Sequence, residues 1–425
     1  MLPRNSITSI ILHCGLHKTG TSTLQNALSS IREPLKSEGI LYPDFQYQGR
    51  AISNHSIPYY SMFTEDPVSY HINQRFGLQT PKEIRQAHDS YKNQLLEQLF
   101  SFRGNRLMIS GEDLSMLKME ELQRMKSFFT EQIGPKASFT ILFFIRHPVK
   151  YAASMVQEKL KHGSSQENAM KEQIDFSGSG GFRKIFERFE ACFGRDCIQV
   201  NRFEDALKDD VGLTGFFFKA AGLNPSLADQ IPKENMNPSM SMEAATLLAA
   251  ICSEPNQKYR VDESESNQKN RVVEGEPGSK NRVGENGTEE YKLNLQRLIE
   301  LPGQKFSLSD DFHQTIWENS LNDIEWICNR YSLQHYHRVE PKPVEPETLW
   351  PRKAIHYLFR WIHRQPAAVR QRMLQGLDAD VQKNRLYFTK SKRIYLFLMT
   401  KCLAVYLLFL RLTEKPLRFV LEKLY

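Results

Sequence analysis

The chain has 425 residues, 40% hydrophobic and 25% charged, which is the composition of a globular protein and excludes a disordered or fibrous one. Its net charge of +7 is unevenly placed: residues 350–425 hold 16 Lys/Arg against 4 Asp/Glu, or +12, which leaves the first 349 residues at −5. The basic character therefore belongs to the tail, and no nucleic-acid partner is expected. Six scattered cysteines, without Cys-x-x-Cys or a Cys/His cluster, fit a reducing compartment and no metal site.

Ser6 to His13 is apolar and β-branched and reads as a buried strand. A glycine-containing loop follows, then a helix from Thr21 to Ile31, with Thr/Ser as its cap and Pro34 near its stop. Only Ile7 to Leu12 is apolar before His13, shorter than a signal-peptide core, so a cytoplasmic location is expected. Further helices are predicted over Glu83–Phe102, Met119–Gln132, Pro148–His162, Phe182–Phe193 and Asp310–Tyr331. Strands are predicted over Arg106–Ser110, Ala137–Ile145 and Cys197–Val200, the second being the strongest buried-strand signal in the chain. Strands alternating with helices imply an α/β fold with a parallel sheet. Residues 254–290 are polar, rich in Gly, Asn and Glu, and repeat Lys-Asn-Arg-Val at Lys269 and Lys280, as a surface insertion would. A Pro-rich linker, 341–349, precedes a basic tail, 350–425, expected to be helical.

Two stretches carry chemistry. Gly15-Leu-His17-Lys18-Thr19-Gly20-Thr21-Ser22 has the glycine spacing of a P-loop, but Thr21 stands where a nucleotide kinase has its lysine. Backbone N–H groups of such a loop and the positive end of the following helix can hold a phosphate, with Lys18 reaching an oxygen and Thr21 and Ser22 donating hydroxyls. Arg146 ends the strongest strand, and Ser154 follows it eight residues later on the next helix, so the two can converge on one anion.

On these motifs the sequence resembles the sulfotransferases that use 3′-phosphoadenosine-5′-phosphosulfate (PAPS), particularly bacterial members acting on saccharides or lipids. The resemblance spans about Ile7 to Leu333 and is strongest in the two motifs. It implies a P-loop NTPase-like parallel sheet flanked by helices, over residues 1–340. It further implies that the loop from His17 through Ser22 holds the 5′-phosphosulfate, and that Arg146 and Ser154 hold the 3′-phosphate. Gly39-Ile-Leu-Tyr-Pro43 looks like the region before the acceptor site, and Asn201-Arg-Phe-Glu-Asp205 like that beside the adenine, with Phe203 where relatives often have Tyr.

Sulfuryl transfer needs a base for the acceptor proton. Glu112, just past the strand Arg106–Ser110, stands where the family has its catalytic Glu or His, although with Asp113 it could instead cap a helix. His55, in Ser53-Asn-His-Ser56, is the second candidate, whereas His13 reads as a core residue. Lys18 is expected to neutralise the leaving phosphate, without a metal. The acceptor is expected to be a saccharide, glycolipid or polysaccharide precursor. The tail's apolar run, Ile394 to Leu410, would reach roughly 25 Å as a helix and contains Lys401, too short and too polar to span ~30 Å of hydrocarbon. It can instead lie on an anionic membrane face, as a peripheral attachment, or pack in a protein interface. Two rival classes remain: a P-loop kinase or NTPase, which should show Gly-Lys-Ser/Thr, and a non-enzymatic membrane-binding module, which needs neither Arg146 nor Ser154.

Overall fold

The computed structural model describes residues 6–162, 164–231, 240–245, 301–338 and 357. The insertion at 254–290, the linker and all of the tail except Tyr357 lie outside the described residues. The chain divides into two compact units. The first comprises Met1–Met155, Met170–Asn237 and Asp310–Val339, and the second comprises Val156–Ala169, Pro238–Ser309 and Glu340–Tyr425.

Five strands build the main sheet of the first unit: β1 (Ser9–His13), β2 (Ile40–Leu41), β5 (Arg106–Ser110), β6 (Ser138–Ile145) and β7 (Ile198–Arg202). Their order is β2-β5-β1-β6-β7, and every pairing is parallel. The expected parallel sheet flanked by helices is therefore present. Buried on both faces, the central strands are apolar at consecutive positions, as both-sided burial demands. Ile10 and Leu12 of β1 join Leu107, Ile109, Ile141 and Phe143 on one face, while Ile11 joins Met108, Leu142 and Phe144 on the other.

The first face is covered by α5 (Pro81–Ser101), α6 (Met119–Ile133), α9 (Gly181–Phe193) and α12 (Asp310–Arg330), through Leu95, Leu99, Met125, Phe129, Phe186, Phe189 and Ile327. The second is covered by α1 (Thr21–Ser30), α2 (Arg32–Ser37) and α11 (Gly212–Ala220), through Leu24, Leu28, Leu35, Phe217 and Phe218. Between β2 and α5 the chain makes a hairpin, β3 (Phe45–Tyr47) with β4 (Arg50–Ile52), and two short helices, α3 (Ser56–Phe63) and α4 (His71–Arg75). α7 (Pro148–Lys161) and α8 (Gln166–Gly178) follow β6, and α10 (Phe203–Ala206) follows β7. In the second unit an isolated bridge joins Ser241 and Lys305, and the Ser241 hydroxyl donates to Leu301 O at 2.7 Å.

Most predicted elements appear within a residue or two of their expected bounds. One differs in kind. Pro34 does not stop the first helix; it sits in α2, a second short helix that begins at Arg32. Nor does a hydroxyl cap α1, because its N-cap is Gly20, in the left-handed region at φ 79°.

Strand order fixes where a ligand can sit. The chain leaves β1 toward β5 on one side and returns to it through β6 on the other, so a crevice opens outside the carboxyl end of β1. The loop after β1, the turn after β5 and the loop after β6 all empty into that crevice.

Candidate functional site

The sheet ladder runs on into the loop after β1: Leu16 N–H donates to Phe144 O at 2.9 Å, and Phe144 N–H donates to Gly15 O at 2.6 Å. The loop then turns sharply. Buried Thr19 closes it by donating its hydroxyl to Leu16 O at 2.5 Å. Lys18 has φ 61°, a left-handed conformation that costs a non-glycine residue energy and concentrates at functional sites. Gly20 meets two constraints at once. Its φ is positive, and a Cβ there would lie 2.5 Å from Leu213 Cδ2 and 3.3 Å from Phe203 Cε2. Thr21 is buried at the first turn of α1, and Ser22 beside it is exposed.

Arg146, one residue beyond β6, reaches back to this loop and donates from Nη1 to Lys18 O at 3.0 Å. Its guanidinium lies 5.5 Å from the centre of the Phe203 ring. Burial pulls its pKa down, and the nearby Glu204 carboxylate pulls it back up. Glu204 is fixed in turn by His147 N–H at 3.0 Å and by the Tyr336 hydroxyl at 3.1 Å. One bond to the loop leaves most of the five guanidinium donors for an anion. Ser154 lies half-buried on α7, two helical turns past Arg146.

Glu112 opens the short 3₁₀ turn after β5 (Glu112–Met116), and its Oε2 accepts a hydrogen bond from the Thr21 hydroxyl. The structure thus brings His17, Lys18, Thr21, Glu112 and Arg146 together at the crevice. The contact with Gly15 explains how so close an approach is possible: a Cβ at Gly15 would meet Glu112 Cα at 3.3 Å.

His55 is placed elsewhere. It is completely buried behind the end of β5, stacked on Tyr42 at 4.1 Å between centroids. Its Nε2 donates to Pro43 O at 2.9 Å and its Nδ1 accepts from Ser110 N–H at 3.3 Å, so both nitrogens are engaged by backbone. Burial holds its pKa down at about 3. A ring so engaged has no free nitrogen for an acceptor's proton. What Ser53-Asn-His-Ser56 supports is the site: the Ser56 hydroxyl accepts from Asp113 N–H at 3.0 Å, and Gly111 leaves room for that approach, since a Cβ there would lie 2.7 Å from Ser56 N.

His13 is also buried, with Nδ1 against Ser110 Oγ at 2.8 Å, and burial lowers its pKa to about 3. Both histidines stay neutral in the folded state well below 6.5, where the unfolded chain charges them. Their contribution is therefore present above pH 6.5 and is lost as pH falls from there toward 3. Between pH 7.5 and pH 5.0 the expected loss is about 2 kcal/mol per histidine. Denaturant titrations at the two pH values check this; an unchanged midpoint would show that the rings charge without leaving the core.

Sequence reasoning missed Asp113 and Tyr70 as parts of this site. The Tyr70 hydroxyl donates to Asp113 Oδ2 at 2.5 Å, and Asp113 Oδ1 lies 3.3 Å from His17 Nε2. The one available signal was the Gly111-Glu-Asp run at the end of a strand. Among the described residues no group of three or more His, Cys, Asp or Glu side chains could hold a metal ion, and no helix is long and apolar enough to cross a membrane. A surface hollow lined by Glu187, Glu190, Arg195, Trp326 and Arg330 lies on α9 and α12, away from the crevice. Its charges are paired, with Arg330 on Glu190 at 2.9 Å and Arg195 on Glu190 at 3.7 Å.

No protein-family model matches the sequence. No curated protein matches it significantly. Among solved structures, a crystal structure of a sulfotransferase from Alicyclobacillus acidocaldarius aligns with 56% of this chain and 88% of its own, at 17% identity and a TM-score of 0.33.

Proposed function

We propose that the protein is a PAPS-dependent sulfotransferase that transfers the sulfuryl group to a hydroxyl or amine of a saccharide, glycolipid or polysaccharide-type acceptor. The observation that carries this reading is the junction of three strand ends: a P-loop-type turn bearing Lys18, an arginine from β6 bonded to Lys18 O, and a carboxylate from β5 on Thr21. The turn suits a phosphosulfate, because backbone N–H groups, Lys18 and the start of α1 all offer positive charge there. Arg146, with free donors half-buried beside Phe203, suits a second phosphate. Two separate anion sites favour a nucleotide with phosphates at both its 3′ and 5′ positions over ATP. The kinase reading lacks its Gly-Lys-Ser/Thr, since Thr21 follows Gly20.

PAPS supplies an activated sulfuryl group with PAP as its leaving group. Glu112 takes the acceptor's proton while the acceptor oxygen bonds to sulfur and the bond from sulfur to the phosphate oxygen breaks. Lys18 and the loop N–H groups hold the charge that the departing phosphate gains. Attachment of the tail to an anionic membrane surface would bring the enzyme to lipid-linked acceptors, and is proposed on the tail's charge alone.

PAP is expected to stabilise the protein without added metal, by about 2.7 kcal/mol at a hundredfold excess over Kd. ATP should do much less. Arg146→Ala should weaken PAP by about 1.5–3 kcal/mol, the worth of a charge-assisted bond. Melting shifts in PAP and in ATP, followed by transfer from radiolabelled PAPS to carbohydrate and lipid extracts, test the reading. Equal shifts with the two nucleotides, or PAP affinity unchanged in Arg146→Ala, would remove its basis.

A further inference from the structure

The His17 imidazole lies between two carboxylates on adjacent residues. Its Nδ1 is 3.9 Å from Glu112 Oε2 and its Nε2 is 3.3 Å from Asp113 Oδ1. These carboxylates differ in surroundings. Asp113 has a side chain only 6% exposed and is fixed twice, by the Tyr70 hydroxyl on Oδ2 and by its own N–H on Ser56 Oγ. Glu112 is 21% exposed and open to the crevice. His17 Nε2 is buried and completes no in-line hydrogen bond, so Asp113 is the acceptor within its reach. On Glu112 the Thr21 hydroxyl and the His17 ring both approach Oε2. Oε1 is left as the oxygen free to face an acceptor.

We propose that His17, Asp113 and Tyr70 are positioning residues that hold Glu112 with Oε1 toward the acceptor, an inference that rests on the sulfotransferase reading. Tyr70 and Ser56 fix Asp113, Asp113 aims the imidazole, and the imidazole sets the rotamer of Glu112. His17 thus belongs to the proton-accepting side of the site, although it sits in the loop that meets the phosphosulfate. The arrangement shares its logic with the carboxylate that orients a histidine in acyl transfer. Here the histidine orients a carboxylate.

The test is a double-substitution cycle on the full chain, with kcat, KM for the acceptor and Kd for PAP measured for each protein. His17→Gln is expected to lower kcat by about tenfold to a hundredfold, the cost of misplacing a reacting group by an ångström or less. PAP affinity should stay within about twofold. Asp113→Asn should behave similarly, and Tyr70→Phe more mildly. In a Glu112→Gln background His17→Gln should cost almost nothing further, because residues that act as a unit are not additive. His17→Asn serves as a second variant should the glutamine protein melt early. Loss of PAP affinity in parallel with kcat, or full additivity with Glu112→Gln, would overturn the proposal and make His17 a cofactor contact. A wild-type protein that neither binds PAP nor uses PAPS would sink the functional reading itself, and this inference with it.

Discussion

Glu112→Gln is expected to lower kcat by about 10²–10⁴ and to leave PAP affinity nearly intact. The glutamine fills the same volume, and its carbonyl oxygen can still accept the Thr21 hydroxyl that Glu112 Oε2 accepts. It cannot take a proton. The substitution therefore separates the two things that Glu112 can do. If the carboxylate serves only to anchor Thr21, glutamine preserves that anchor and the rate should fall no more than a few-fold. Glu112→Ala would then weaken PAP binding instead, since Thr21 would lose its partner beside the loop. Glu112 caps no helix, since the N-cap of its turn is Gly111 without a side-chain bond, so a purely structural role would show as a lower melting temperature of Glu112→Ala through the lost bond to Thr21. Steady-state kinetics with PAP calorimetry on both variants decides among these outcomes.

Lys18→Ala is expected to cut turnover by at least about 10²–10³, the usual cost of removing one preorganised donor from a site of developing charge, and to weaken PAP as well. Its side chain leaves a backbone in the left-handed region, and its carbonyl is held by Arg146 Nη1. The alanine keeps that carbonyl, so the Arg146 bond survives and the loss belongs to the ammonium group. Lys18→Arg is the informative partner. Its larger planar head should recover PAP affinity before it recovers rate, because charge is restored while the point of contact moves. Normal kcat in Lys18→Ala would show that another cation meets the leaving phosphate.

Long apolar strands and amphipathic helices were legible because their signal is local. β6 is an eight-residue run, Ser138–Ile145, and needs no partner to be read. α5 starts at Pro81, just ahead of its sequence reading, with Thr80 and Glu83 closing a capping box. The β3–β4 hairpin was missed because each strand has three residues and its turn is Gln48-Gly49, with φ of 51° and 74°, rather than an Asn-Gly or Asp-Gly pair. α11 was hidden by Gly212 and Gly215, residues that ordinarily argue against a helix; a Cβ at Gly215 would lie 2.6 Å from Val211 Cβ. In the site, the loop and Arg146 could be named because each is a motif. Asp113 and Tyr70 could not, since their relation to His17 exists only once β1, β5 and α4's approach lie side by side. His55 was readable as a histidine near the site, but not as one whose nitrogens both face backbone.

The junction of β1, β5 and β6 also has a consequence in time. Lys18 and Arg146 are joined directly, yet at about 5–20 residues per second a ribosome needs roughly 6–25 s to pass from one to the other. Until Ser110 is made β1 has neither lateral neighbour, and until Ile145 is made it still lacks one, because it pairs with β5 on one side and β6 on the other. Its apolar residues Ile10, Ile11 and Leu12 are then an unprotected edge in a nascent chain, open to pairing with another polypeptide. Synthesis that stalls before residue 145 should therefore yield aggregating fragments, and holdase chaperones should engage the chain there in preference to later segments.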